Sequence, residues 1–263
     1  MTKVLDIATA IEKFAPNFLK ESYDNVGLMV GDMNKEVKKI LLSLDCKLDT
    51  IEEAKNNDVD LIITHHPLLF KKPSRIIKGD LQGDKIINLI KNNISLYSCH
   101  TNLDSAKNGI NETIVNLLGF KDSNIIEKSK VKGYENAGIG RIVSLDNELS
   151  PLEIISLVKE KLNIESVRAA IGTRKINKIA VINGSGQDFF EECKNLGADC
   201  IITGDTTYHF VSDYNEMGMT IIDAGHFNTE NIIFYKVMES ILSQFRNIQI
   251  MKANNAKDVY EFL

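Results

Sequence analysis

Long apolar runs are missing from this chain. No stretch approaches the roughly 18 consecutive residues that a membrane-spanning helix needs, so no membrane partner is expected. Basic excess is missing too. Lys plus Arg number 31 against 36 Asp plus Glu, a formal charge of −5, which gives no field to recommend nucleic acid as a main partner. The cysteines are few and unpaired in spacing. Cys46, Cys99, Cys193 and Cys200 form no C-x-x-C motif, which argues against a structural zinc knot. Cys46, Cys99 and Cys200 sit in or beside apolar runs, as small core residues do in a reducing compartment. The N-terminal Met-Thr-Lys-Val-Leu-Asp-Ile-Ala shows neither a signal-peptide core nor a cleavage site, and a cytoplasmic location is the expectation. Gly184-Ser-Gly186 is half a phosphate loop. It lacks the third glycine and the acidic residue that would make a dinucleotide site.

What is present is 263 residues with ample apolar content, enough for one large domain or two smaller ones. Apolar runs alternate with helical patterns along the whole length, which reads as α/β. Helices are expected over 3–20, 48–56, 84–92, 110–118, 151–162 and 189–196, and from 232 on. Strands are expected over 37–45, 61–64, 94–98, 138–145, 167–171, 178–182, 200–203, 220–223 and 249–252. Ser150 followed by Pro151 marks a helix start, with serine as the cap and proline in the first turn. Asn228 or Thr229 is the expected cap of the last long helix. The polar segment 122–136 reads as a connection.

Laid side by side, the two halves echo one another. Asp58-Val-Asp-Leu-Ile-Ile-Thr64 parallels Gly197-Ala-Asp-Cys-Ile-Ile-Thr203, Lys39-Ile-Leu-Leu-Ser parallels Lys178-Ile-Ala-Val-Ile, and the run from Ile94 to His100 parallels that from Met219 to His226. The expected architecture is therefore two similar α/β units, layered helices on mixed sheets, facing each other across a shared metal cleft. The first unit spans 1–125 and the second 126–263, with the C-terminal helix free to pack back on the first.

The residues that carry chemistry cluster at strand ends, where α/β proteins place their ligands. His65, His66, His100, Asp104, His226 and Glu230 all follow apolar runs, and His209, the remaining one of five histidines, follows another. Pro67 keeps His66 out of helical geometry and holds both imidazoles at the strand end. Imidazole and carboxylate together suit Zn, Mn, Fe or Ni. This many donors can serve two divalent ions, a pair that activates water for attack on a phosphoryl, amide or imine-like carbon.

Five blocks carry a family resemblance. They are Tyr23-Asp-Asn-Val-Gly-Leu28, Thr64-His-His-Pro-Leu68, His100-Thr-Asn-Leu-Asp104, Thr203-Gly-Asp-Thr-Thr-Tyr-His209 and Asp223-Ala-Gly-His-Phe-Asn-Thr-Glu230. In content and order they resemble the signature of the Nif-three-like family, whose members are often labelled GTP cyclohydrolase I type 2 homologue, in its short form. The resemblance implies a dinuclear metal site with His65, His66, Asp104, His226 and Glu230 as ligands. His100 would stand beside it as a proton-transfer group, and His209 shares that candidate catalytic role. It also implies self-association into a ring, commonly a hexamer, and a hydrolase acting on GTP or a related nucleotide. A phosphoesterase or amidohydrolase of other substrate, and a non-enzymatic metal-binding or interaction scaffold, remain as alternatives.

Overall fold

Short, β-rich apolar runs need neighbours on both sides, and the computed structural model, which describes residues 1–261, sorts them into two sheets. The helices are α1 (Val4–Phe14), α2 (Leu48–Asn56), α3 (Leu81–Lys91), α4 (Thr101–Ser105), α5 (Ile110–Leu117), α6 (Pro151–Leu162), α7 (Phe190–Asn195), α8 (Tyr208–Glu216) and α9 (His226–Leu242). The strands are β1 (Gly27–Val30), β2 (Lys39–Ser43), β3 (Leu61–Thr64), β4 (Ser95–Ser98), β5 (Asn124–Lys128), β6 (Gly138–Leu149), β7 (Arg168–Ala170), β8 (Ile176–Ser185), β9 (Cys200–Gly204), β10 (Thr220–Asp223) and β11 (Gln249–Lys252). The fold is mixed α/β, as expected.

The chain divides into two compact units, one of Met1–Leu103 with the chain from Phe234 onward, the other of Asp104–Ile233. It thus passes between them at 103/104 and 233/234; the sequence reading sets its boundary at 125/126 and leaves the C-terminal helix free to return to the first unit. Two local choices account for this. Strand β11 adds in parallel to β2, with Ile250 opposite Ile40, which takes the C-terminal segment into the first sheet. Helix α5 packs against β6 and β8 of the second.

In the first unit the strand order is β1-β4-β3-β2-β11. Its central strands are buried along their whole length: β3 and β4 expose no residue, and β2 only the start. Such continuous runs mean that both faces are covered. Leu41, Ile62 and Leu96 are neighbours in register and form one core with Ile51 and Ala54 of α2 and Leu89 of α3. In the second unit the order is β5-β6-β8-β9-β10-β7. Ala180 and Ile201 pair across β8 and β9, and pack with Phe190, Cys193 and Met219 in its core. All four cysteines are buried and none is in a disulfide among the described residues, and burial pushes the Cys46 and Cys193 thiols up to about 12. They are core residues, as the apolar surroundings of Cys46, Cys99 and Cys200 in the sequence suggest.

The echo between the halves is structural. Strands β2, β3 and β4 run parallel in adjacent positions, and so do β8, β9 and β10. Asp60 accepts from the Lys38 and Lys39 N–H groups at 2.8 and 3.1 Å. Asp199 does the same for Asn177 and Lys178, both at 3.0 Å. Each aspartate therefore pins the first residues of one strand to the start of the next.

Helix α6 begins as its sequence dictates. The Ser150 hydroxyl accepts from the Glu153 N–H and the Glu153 carboxylate returns to the Ser150 N–H, a reciprocal cap. Three expectations are corrected. Segment 122–136 contains strand β5, an edge strand whose polar, exposed residues hide it from a hydrophobic pattern. Helix α8 was not expected, because none of its residues is buried. Helix α9 starts at His226, ahead of the expected caps. Asn228 donates to Ala224 O at 2.9 Å and Thr229 to Gly225 O at 3.0 Å, so both bond back within the first turn. Among the described residues no helix is long and apolar enough to cross a membrane.

Candidate metal centre

In the first unit, pairing brings three histidines together. Thr64 and Ser98 are opposite each other at the ends of β3 and β4, and their hydroxyls hydrogen-bond at 2.8 Å. The Cys99 N–H donates to Thr64 O at 3.0 Å, carrying the alignment one step past the strands. His65 and His100 leave from this seam, with His66 beside them. Their ring centroids lie 5.2 to 5.6 Å apart, and one nitrogen from each falls within 4.8 Å of the others. His65 is fully buried, with Phe234 of α9 against its ring at 5.8 Å.

Which nitrogen faces the centre follows from hydrogen bonding. His65 Nδ1 lies 2.9 Å from Cys99 O. A carbonyl only accepts, so Nδ1 carries the proton and the lone pair sits on Nε2. His66 Nδ1 meets Asp45 Oδ1 and His100 Nδ1 meets Asp24 Oδ1, each at 2.9 Å. Ionised carboxylates enforce the same tautomer. An oxygen behind each imidazole, orienting it and raising its basicity, is the usual support of metal-ligating histidine. Burial raises the Asp24 carboxyl, but hydrogen bonds and charge from His100, the Thr101 hydroxyl and the Asn25 N–H outweigh it and lower the group from 3.8 to about 2.

The second unit has a cluster of its own. Asp104 sits in α4 and Glu230 in α9, buried at 6% and 3% exposure, and one side chain joins them. Asn183 Nδ2, near the end of β8, donates to Asp104 Oδ1 at 3.0 Å and to Glu230 Oε1 at 2.8 Å. Asn183 is itself held, its N–H donating to Asn111 Oδ1 at 3.0 Å. His226 and Glu230 lie on one face of α9 at i, i+4, with His226 Nε2 3.0 Å from Glu230 Oε2. His226 Nδ1 meets Asp205 Oδ2 at 2.8 Å.

Two glycines make room for this cluster. Gly184 has a φ of +57°, and a Cβ there would run into the Glu230 carboxylate. A Cβ on Gly204 would meet the backbone of Gly225 and His226, the start of α9. The Gly184-Ser-Gly186 stretch thus acts through space for a carboxylate. Its N–H groups bond to the Thr229 and Thr203 hydroxyls, both at 3.0 Å.

Taken separately, each unit offers donors of the kind that suit a divalent transition metal: imidazoles with fixed tautomers in the first, and buried carboxylates with an imidazole in the second. His100 offers its nitrogen in the same group as His65 and His66. His209 lies exposed in the first turn of α8 with its ring 5.4 Å from Tyr208. Asn183 and Asn111 are not singled out by the sequence. An asparagine ending an apolar run is the only trace of the first, and nothing local marks the second. Asp24 and Asp205 stand within signature blocks, and their role as supports of His100 and His226 emerges from the fold.

A family model described as Duf34/NIF3 (NGG1p interacting factor 3) matches residues 2–258. The chain is 53% identical over 263 residues to the GTP cyclohydrolase 1 type 2 homolog of Clostridium perfringens, covering 99% of this chain and 100% of that protein. Among solved structures, the Bacillus cereus protein related to NIF3 superposes with a TM-score of 0.90 at 21% identity, covering 100% and 99% of the two chains. Reduced HcgD from Methanocaldococcus jannaschii superposes with a TM-score of 0.83 at 30% identity, covering 96% and 98%.

Proposed function

This chain belongs to the Duf34/NIF3 family, and from that premise we propose that it is a metal-dependent hydrolase holding two divalent ions through His65, His66, Asp104, His226 and Glu230. The observation that supports this reading best is the pair of oxygen acceptors behind the imidazoles of His65 and His66, which present Nε2 as the ligating atom. Bound metal supplies Lewis acidity and acidifies water towards neutral pH. Everything else falls to the chain. Asn183 holds the two carboxylates in place, and the Asp205 carboxylate holds the His226 ring.

His100 is the proton-transfer group in this reading. Its Nδ1 is anchored on Asp24, which stays ionised at neutral pH. Nε2 is therefore the atom that takes a proton from water and returns it to the leaving group. The curated relative's name carries GTP, and GTP or a related nucleotide is the proposed substrate, opened by hydrolysis at the imidazole carbon of the purine with loss of formate. Association of this chain with itself, as a hexameric ring, is part of the same proposal and is tested by light scattering on purified protein.

The deciding experiment measures metal content and turnover together. Metal-replete protein is incubated with a nucleotide panel that includes GTP, and formate and ring-opened product are followed. Two ions per chain and turnover are expected. His100→Ala should keep its metal and lose rate by about 10²–10⁴. Full occupancy with no turnover on any nucleotide would replace the hydrolase with a non-enzymatic metal-binding or scaffold protein. At most one ion, unaffected by His65→Ala or His226→Ala, would end the dinuclear reading.

A further inference from the structure

One stretch of the first unit reverses the charge of the chain. Residues 71–80 carry Lys71, Lys72, Arg75 and Lys78 against Asp80 alone, 4 − 1 = +3, in a chain of formal charge −5. All four basic residues are exposed. Surface lysines are ordinary, and another basic run, 174–178, is engaged within its own unit. There Arg174 donates to Met217 O at 2.7 Å, Lys175 pairs with Glu148 at 2.9 Å and Lys178 donates to Leu196 O at 3.1 Å. Lys71, Lys72 and Lys78 differ: among the described residues none of the three side chains enters an ion pair. Arg75 meets Asp80 at 3.1 Å, but at 67% and 42% exposure such a pair contributes little and exchanges readily.

The stretch belongs to a loop whose two ends are tied to one helical turn. Gln82 Nε2 donates to Leu68 O at 2.9 Å, and the Gly79 N–H donates to Asp84 Oδ1 at 3.0 Å. Between Gln82 and Asp84, Gly83 brings the first turn of α3 directly onto the loop, because a Cβ there would run into the Ile77 backbone. Gly79 adopts a φ of +96° to close the return. Residues 68–79 are therefore an Ω-shaped excursion with a fixed base, a form often functional. That base stands at the histidine cluster. The loop follows His66, and Asn25 Nδ2 donates to Leu69 O at 2.8 Å beside the Asp24 that holds His100. Phe70 touches the His100 ring, with centroids 6.1 Å apart, and Lys71 and Lys72 come next in the chain.

We propose that the 68–79 loop holds the oligophosphate of a nucleotide substrate, with Lys71, Lys72, Arg75 and Lys78 as its positioning residues. This rests on the hydrolase reading for its use. In that reading the phosphates do not react, and binding energy from a non-reacting part of the substrate serves to position the part that does. Lysine suits the task as a compact charge on a flexible stem, and arginine adds a fork that matches phosphate oxygens. Ile76 and Ile77 are 49% and 45% exposed, which would also suit a lipid surface. The loop's base at the His100 ring favours the substrate.

Binding tests this separately from chemistry. Wild-type protein is titrated calorimetrically with GTP, guanosine and, as a probe without a ring, inorganic triphosphate, both metal-replete and in chelator. Metal content is measured in each sample. Triphosphate and GTP should bind in both states, and guanosine at least about tenfold more weakly than GTP. Lys71→Gln and Lys72→Gln should each weaken triphosphate about two- to fivefold, and glutamine at all four positions at least about tenfold. Metal content should not change, and Lys91→Gln, an equal charge change at the far end of α3, should leave triphosphate binding as in wild type. The difference between wild type and the fourfold variant should shrink as salt rises. Wild-type protein that binds no triphosphate in chelator overturns the proposal, as do loop variants that bind it like wild type or a Lys91→Gln effect of the same size. Loop-dependent binding to phosphatidylserine–phosphatidylcholine vesicles, with none to triphosphate, also overturns it and gives the loop to a lipid surface. Loop-dependent triphosphate binding by protein that takes up no metal ends the hydrolase reading and leaves the loop standing. Metal uptake and GTP turnover that the loop variants leave unchanged do the reverse.

Discussion

Asn183→Leu is the sharpest perturbation that the second unit offers. The substitution keeps the branching at Cγ and the number of side-chain heavy atoms, and removes the one nitrogen that donates to both Asp104 and Glu230. A hydrogen bond to a charged group contributes about 1.5–3 kcal/mol, so losing two costs about 3–6 kcal/mol. The repulsion that the amide dipole offsets has the same scale. Two carboxylates about 5 Å apart at an effective dielectric of ~20 repel by about 3 kcal/mol. The two figures describe one effect and are not summed. A net loss of about 4 kcal/mol lowers the melting temperature of a chain this size by about 8–16 °C.

The assay is thermal unfolding at pH 7, in chelator and in saturating Mn or Zn, at one protein concentration. Without metal the variant should melt about 8–16 °C below wild type. With metal the gap should shrink, because a cation between the carboxylates supplies the positive charge that the amide no longer does. Metal at 100 times its Kd adds about 2.7 kcal/mol to any protein that binds it only when folded. Asn183→Asp sharpens the contrast by adding a third carboxylate. A variant melting within about 2 °C of wild type in chelator would refute the claim that Asn183 holds two buried charges. A gap of the same size with and without metal would refute the claim that metal shares that task.

Three further outcomes follow from the geometry. Gly184→Ala places a methyl against the Glu230 carboxylate at a left-handed φ, and should reduce bound metal while far-UV circular dichroism stays near native; full metal content would mean that Glu230 has room to move. Asp60→Ala and Asp199→Ala remove equivalent pairs of accepted hydrogen bonds; each should cost about 2–3 kcal/mol in urea unfolding, and costs differing by more than about 2 kcal/mol would break the equivalence. Asp223 is buried, which raises its carboxyl, but the Thr206 N–H and hydroxyl, Arg168 and the Gly225 N–H outweigh this and hold it below 3.8. Its contribution is present above about pH 4 and is lost as pH falls through the lower folded value. Asp223→Asn should therefore be less stable at pH 7 yet show a shallower acid limb below pH 4, and parallel acid limbs in urea titrations would exclude this role.

Local chemistry determined a good part of this protein. The cap and first-position proline of α6, the limits of β3, β10 and β11, and the repeated strand-helix runs depend on neighbours a few residues apart, and all are legible in order along the chain. So were the histidines and carboxylates that end those runs, because a polar residue after an apolar strand stands out without knowledge of the fold. Partnership across the chain was decided only by tertiary structure. Strand β11 reads as a strand from its four residues, yet its place beside β2, some 200 residues earlier, depends on register and on which edge remains open. Edge strand β5 and half-buried α8 leave little hydrophobic pattern, because one-sided or partial burial weakens the signal that the eye follows. Asn183 shows the limit most clearly. An asparagine carries no charge and fits no metal motif, and its role exists only because the fold brings Asp104, 79 positions away, and Glu230, 47 positions away, to the same nitrogen. A hydrogen bond needs its partners within about 3 Å, and no spacing in a sequence encodes that distance.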